Sequence, residues 1–206
     1  MQPIFSFQRG QTPLLVSIPH AGTDVPPLIG KRFTQQAHQL ADTDWFVDRL
    51  YHWVTEEGAG LLVANYSRYV IDMNRPADNA ALYSGFGSGL VPQQSFDGKP
   101  LYRAGKQPGK TECKQRLTQF WLPYHEKLTA ELQVLKNRFG YAVLLDAHSI
   151  RSKVPMLFDG RLPNLNLGSN QGVSANPDLI CASFAALNKD TAYSAVLDGR
   201  FQGGYI

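Results

Sequence analysis

Leu14-Leu15-Val16-Ser17-Ile18-Pro19-His20 is the stretch on which the reading of this chain turns. A compact apolar run closed by proline reads as a buried strand. It also delivers a histidine just past its carboxyl end. Tyr141-Ala142-Val143-Leu144-Leu145 repeats the pattern and runs into Asp146-Ala147-His148. Its unbroken apolar character predicts a central strand covered on both faces. Shorter strands are expected at 61–64, at 69–71 leading into Asp72-Met73-Asn74-Arg75, and at 193–197. Phe46, Leu50, Trp53 and Val54 have helical spacing and predict a helix over 45–57, capped by Asp42 or Thr43 and stopped by Gly58 and Gly60. A longer apolar face, from Leu117 and Phe120 to Leu132 and Leu135, predicts a helix over 111–138 that Pro123 kinks or splits. A further helix is expected over 177–187, with Pro177 in its first turn. Strands and helices alternating in this order define an α/β domain around a central mixed, largely parallel sheet.

The bulk properties narrow the functional classes. The chain has 206 residues and 43% apolar residues, enough for a single domain over 1–206 with its own core. Its formal charge of +3 is small, and no stretch interleaves Lys and Arg with aromatics. A nucleic-acid partner is therefore not expected. No apolar run reaches the roughly 18 residues of a membrane span, and residues 1–11 hold no apolar signal core. A cytoplasmic protein is expected, with Cys113 and Cys181 as reduced thiols. The oligomeric state is not legible. Residues 76–110 and 151–176 read as long irregular stretches, and the first invites a functional role.

In open α/β sheets, ligands sit beyond the carboxyl ends of strands. His20, Asp72, Asp146 and His148 all fall there. Two histidines and a carboxylate are the ligand set of a catalytic zinc site that keeps a place for water. His20 and His148 are the natural imidazoles. Asp44 is the first choice for the carboxylate, Asp42 the second and Asp24 the third, and a helix cap is the competing role for Asp42-Thr43-Asp44. Asp72 or Asp146 is placed to accept the other ring N–H of a ligating histidine. Arg75 is the candidate for a planar, two-pronged grip on a substrate carboxylate, with Asn74 beside it. Arg68, Arg103, Arg151, Arg161 and Arg200 compete as anion ligands. His38, His52 and His125 lie in helical patterns and read as surface or packing residues. Gly85, Gly87 and Gly89 lack the lysine and context of a phosphate loop. Ser17 and Ser149 lie outside any nucleophile elbow, so a serine triad ranks below a metal. The expected partner is a small acidic molecule.

Taken together these blocks resemble the N-formylglutamate amidohydrolase family, the deformylases of histidine breakdown. The resemblance rests on Ser-Ile-Pro-His-Ala-Gly at 17–22, Asp-Thr-Asp-Trp at 42–45, and Tyr-Ser-Arg-Tyr-Val-Ile-Asp-Met-Asn-Arg-Pro at 66–76. It continues in Leu-Leu-Asp-Ala-His-Ser-Ile-Arg-Ser at 144–152, Leu-Phe-Asp-Gly-Arg-Leu-Pro at 157–163, Asn-Leu-Gly at 166–168, and Asp-Gly-Arg-Phe-Gln-Gly-Gly-Tyr-Ile at 198–206. The family is similar in turn to zinc carboxypeptidases, which implies a three-layer fold of the phosphorylase/hydrolase-like kind. The resemblance implies that His20, Asp44 and His148 hold Zn²⁺ and that Arg75 holds the substrate's α-carboxylate with help from Asn74. It also implies that Asp72 supports a metal-bound histidine; Asp146, from its place two residues before His148, and Asp42 are read as further supports. Arg161 and Arg200 are then candidate ligands for a second carboxylate, and Arg151 for the oxyanion formed at the formyl carbon. Family members continue past the Gly-Gly block to a glutamate that should act as general base, so the chain reads as truncated at its carboxyl end. The implied reaction is hydrolysis of N-formyl-L-glutamate to L-glutamate and formate, with another N-acyl amino acid or a non-catalytic carboxylate binder as the alternatives.

Overall fold

The computed structural model describes residues 2–78, 89–203 and 205–206. They form two compact units, Met1–Ile150 and Arg151–Ile206. Gly85 and Gly87, and part of the irregular stretch 76–110, lie outside the described residues.

The first unit is built on a four-stranded sheet of β1 (Phe5–Gln8), β2 (Leu14–Ile18), β3 (Gly60–Ala64) and β4 (Val143–Asp146), in the order β1-β3-β2-β4. β2 runs parallel to both β3 and β4, and β1 is antiparallel to β3. The sheet is thus mixed and largely parallel, as the alternation of elements predicts. Ser17 pairs with Asp146, and Ser17 C=O accepts the Ala147 N–H at 2.8 Å. Because β2 and β4 are parallel neighbours, their carboxyl ends open at the same edge of the sheet.

β4 departs from expectation: among the described residues it is one of the two outer strands of this sheet, with β1 at the other edge, and its residues are only half-buried. β2 is the buried strand, with Val16 and Ile18 fully excluded from solvent. These two side chains lie on one face with Ala147, packed against Val47, Val54, Ala59 and Leu61. On the opposite face Ser17 Oγ meets the buried Tyr124 hydroxyl at 2.9 Å. Alternation along one strand therefore places helical segments on both sides of the sheet.

The helix predicted over 45–57 is broken into α2 (Val47–Leu50) and a 3₁₀ turn (His52–Thr55). Neither Asp42 nor Thr43 caps it. Phe46 occupies the N-cap in the left-handed region (φ 64°) and provides no side-chain cap. The Asp44 N–H bonds to the His20 C=O at 3.0 Å, which fixes the chain before the helix begins. The strand expected at 69–71 is a buried turn instead, although Val70 and Ile71 are fully excluded from solvent. The loop at 20–30 contains the single-turn α1 (Pro27–Gly30).

The long helix runs as α3 (Lys110–Arg116), a π-helical turn (Leu117–Trp121) and α4 (Leu122–Phe139). Pro123 has no N–H and its ring would strike the carbonyl four residues back, so the turn ahead of it widens and the helix is not severed. Gly140 ends α4 in the left-handed region (φ 82°), its N–H reaching the Lys136 C=O at 2.9 Å.

In the second unit, β5 (Leu165–Leu167) pairs in parallel with β6 (Ala195–Leu197), and α5 (Pro177–Leu187) connects them. Asn176 caps α5 by accepting the Asp178 N–H at 2.8 Å. The structure thus bears out this helix residue for residue. Among the described residues, no helix is long and apolar enough to cross a membrane.

Candidate metal and substrate site

Pro19 ends β2 and turns the next residues across the sheet edge. Gly22 completes that turn against β3's extension: a Cβ there would lie 2.5 Å from Asn65 C and Tyr66 O. Only glycine permits this approach, and it seats His20 in the interior, 4% exposed. Asp44 is brought beside it by the backbone bond between the two residues. His148 arrives from the end of β4.

The three side chains converge. A nitrogen of His20, a nitrogen of His148 and a carboxylate oxygen of Asp44 lie within 4.8 Å of one another. His148 Nδ1 is 2.9 Å from Asp44 Oδ2, and His20 Nδ1 is 4.0 Å from the same oxygen. The two imidazole rings tilt together with centroids 4.8 Å apart. Asp44 Oδ2 also accepts the Ser149 N–H at 3.0 Å. Among the described residues, this is the group of side chains able to hold a metal ion. Asp42 and Asp24 lie outside it. Asp42 Oδ2 accepts the Phe96 N–H at 2.8 Å, and Asp24 joins the Asn65–Ser67 backbone through its own N–H and C=O.

Each imidazole is held on its far side by a different carboxylate. His20 Nε2 bonds to Asp72 Oδ1 at 2.6 Å, and His148 Nε2 bonds to Asp146 Oδ2 at 2.7 Å. A carboxylate that accepts the Nε2 proton leaves Nδ1 as the nitrogen turned toward Asp44. Asp72 is fully buried and held by three donors. Arg68 Nη2 reaches Oδ2 at 2.6 Å, and the Asn74 N–H reaches Oδ1 at 3.0 Å, beside His20. Burial alone would raise the Asp72 carboxyl, but Arg68 and His20 outweigh it and hold the group far below the usual carboxylate range. Burial, with Arg68 close by, pushes His20 below its ordinary value and keeps it neutral. His148 behaves oppositely: desolvation pulls it down, yet Asp146 and Asp44 together lift it to about 10. Asp44 is desolvated too, and its contacts with His148 and His20 keep it ionised.

The donor set suits a divalent cation. Two imidazoles and one carboxylate leave a coordination position open, and both rings already carry the outer hydrogen bonds that fix a ligating tautomer. The Nδ1–Oδ2 contact between His148 and Asp44 occupies the space where a cation would replace a proton.

Asn74 and Arg75 come directly after Asp72-Met73. Asn74 Nδ2 donates to Asp146 Oδ2 at 3.2 Å and lies 2.9 Å from His148 Nε2. Its Oδ1 is buried without a hydrogen-bond partner. Arg75 is half-buried, with Nη1 on the Asn74 C=O at 2.9 Å. Arg68, read from sequence as a possible anion ligand, is instead buried against Asp72. Its i,i+4 spacing to Asp72 was the available signal. Arg151, Arg161 and Arg200 belong to the second unit. Arg161 is exposed, while Arg200 directs Nε and Nη2 to the Leu157 C=O at 2.9 and 2.7 Å.

Two imidazoles and a carboxylate, each ring backed by its own aspartate, thus converge beside the carboxyl ends of the parallel strands β2 and β4 and could hold a cation. The chain belongs to the N-formylglutamate amidohydrolase family, whose sequence profile matches residues 12–206. It is 50% identical, over all of its length and 77% of the relative's, to an N-formylglutamate deformylase of Pseudomonas aeruginosa. It is 46% identical over the same shares to an N-formylglutamate deformylase of Pseudomonas putida. In fold it is similar to the crystal structure of an N-formylglutamate amidohydrolase from Ralstonia eutropha, with a TM-score of 0.82 at 23% identity over 97% of this chain and 78% of that one. It is also similar to a gene product of Agrobacterium tumefaciens, with a TM-score of 0.71 at 16% identity over 96% and 73%.

Proposed function

We propose that this protein hydrolyses the formamide bond of N-formyl-L-glutamate, giving L-glutamate and formate, with Zn²⁺ held by His20, Asp44 and His148. The observation that carries the substrate is the 50% identity, along the whole chain, to a deformylase of that compound. The convergence of two imidazoles and a carboxylate, each ring backed by its own aspartate, supports the metal. Such a ligand arrangement in an α/β sheet is also what a likeness to zinc carboxypeptidases would supply, and we take both units as one amidohydrolase domain.

When bound, the cation supplies Lewis acidity toward the formyl oxygen and lowers the pKa of water. The residues of the chain hold and orient the reactants. Asp72 and Asp146 hold the Nε2 protons of His20 and His148, which leaves both Nδ1 atoms facing Asp44 as the nitrogens that would hold a cation. Arg75 grips the substrate's α-carboxylate through its planar guanidinium. Asn74 ties that guanidinium to the cluster, since its own side chain lies against His148. The buried Asn74 Oδ1 accepts the substrate's amide N–H, which relieves an acceptor otherwise left unmatched. Arg161 and Arg200 are proposed ligands for a second carboxylate of the substrate and Arg151 for the oxyanion, and KM and kcat of their alanine variants test those roles.

The test is formate release from N-formyl-L-glutamate by the metal-free protein with and without added zinc, beside N-formyl-L-aspartate and N-acetyl-L-glutamate. Zinc-dependent release that favours the first compound is expected. Equal turnover of all three overturns the substrate, and release unaffected by chelation overturns the metal.

A further inference from the structure

We infer that Trp121 and His125 are positioning residues for the Asn74-Arg75 clamp, and that the π-helical turn ahead of α4 exists to present them. The inference rests on the reading of Arg75 as the substrate's carboxylate ligand. Trp121 Nε1–H donates to the Arg75 C=O at 2.9 Å, and His125 Nε2 bonds to the Met73 C=O at 2.8 Å. A carbonyl only accepts, so His125 holds its hydrogen on Nε2. The two rings stack with centroids 3.7 Å apart and an interplanar angle of 22°. Each ring therefore fixes the other's orientation, and the pair grips the backbone on both sides of Asn74.

The opposite end of the same segment is pinned by Asp72, whose Oδ1 accepts the Asn74 N–H. The four residues 72–75 are thus held at the front by the carboxylate that supports His20 and behind by an aromatic pair from the helix. Trp121 is the last residue of the π-helical turn and His125 stands one helical turn further on. The extra residue in a π turn rotates the helix on its amino-terminal side relative to the helix on its carboxyl-terminal side. That rotation lets Trp121 and His125 face the clamp, with Tyr124 on Ser17, while Arg116 of α3 faces Val70 and Tyr102. A guanidinium that must meet a planar carboxylate in a two-pronged fashion tolerates little wobble of its backbone.

The experiment compares Trp121→Phe, which keeps the stacked ring and removes the donor, with His125→Leu and His125→Gln in zinc-loaded protein. Trp121→Phe and His125→Leu should raise KM for N-formyl-L-glutamate about five- to tenfold, with kcat changed less than threefold and zinc content unchanged. His125→Gln, which keeps an N–H for the Met73 carbonyl, should recover most of the loss. Backbone hydrogen exchange across 72–76 should quicken in Trp121→Phe whether or not the chain turns over this substrate. If wild type releases no formate while that exchange still quickens, the functional reading fails and the positioning role stands. If exchange and KM stay at wild-type values in Trp121→Phe, or if His125→Gln is no better than His125→Leu, the positioning role is overturned.

Discussion

His20 and His148 have the same chemistry and opposite protonation tendencies. Arg68 and complete burial keep His20 neutral, whereas Asp146 and Asp44 charge His148. His148→Ala and His20→Ala should each abolish zinc occupancy, read by elemental analysis of purified protein. Unchanged zinc in both would remove the site. Asp146→Asn keeps the size of the group that holds His148 and takes away its charge. It should weaken zinc binding about 10- to 100-fold in a chelator competition, because a less basic imidazole is also a less well oriented one. Arg75→Ala should leave zinc in place and raise KM for N-formyl-L-glutamate, and steady-state kinetics on metal-loaded protein would show it. Sequence reading reached these residues because each closes an apolar run. It read Arg68 as an anion ligand and not as the partner of Asp72, four residues on, and it gave Trp121 and His125 no place at the site, because their partners are backbone carbonyls that only the folded chain brings near.

Among the elements, α3 carries an ion cluster that braces the loop below the site. Arg116, buried, donates from Nη1 to the Val70 C=O and the Tyr102 hydroxyl, both at 2.8 Å. Its Nε and Nη2, and Nη1 and Nη2 of Arg32, converge on Glu112. Arg32, with Arg116, outweighs burial and moves Glu112 from its ordinary 4.5 to about 2. A depressed carboxylate stabilises the fold fully above its unfolded value and loses that contribution as the pH falls through its folded one. Unfolding free energy should therefore drop by about 2 kcal/mol between pH 4.5 and pH 2, after allowance for partial exposure. Denaturant titrations of wild type and Glu112→Gln across that range would check it: the variant should show a shallower fall, and identical slopes would deny Glu112 the role. The turn after β2 makes a second prediction. Gly22→Ala forces a Cβ against backbone atoms of Asn65 and Tyr66, and should cost about 1–3 kcal/mol in urea unfolding while weakening zinc binding through His20.

For the whole molecule, the cluster joins segments far apart in the chain: the end of β2, the stretch before α2 and the end of β4. A cation bound there stabilises the folded chain over the unfolded one, by about 2.7 kcal/mol at a free metal concentration of 100 times Kd. Chelation should lower the melting temperature of wild type and leave that of His148→Ala unmoved in thermal scans. Equal shifts in both would place the stabilising metal elsewhere.

The local features were legible because their causes are local. Leu14–Ile18 is five residues closed by a proline, and Pro177–Leu187 has its cap and first-turn proline in sequence, so both elements could be read directly. So could His20, Asp44 and His148 as candidates, since short polar motifs after apolar runs mark strand ends. Tertiary structure alone decided that Tyr69–Ile71 is a turn: its apolar residues are buried by neighbours such as Tyr102, not by a ladder, and composition cannot tell those two kinds of burial apart. It alone put β4 at the outside of the sheet, because strand order depends on which distant strand arrives beside it. It broke the helix over 45–57 at Tyr51, between α2 and the 3₁₀ turn, and started it only after Asp44 is tied to His20. And it alone gave Asp72 to His20, a bond between residues 52 positions apart, whereas Asp146 and His148 stand two residues apart and meet at the end of one strand.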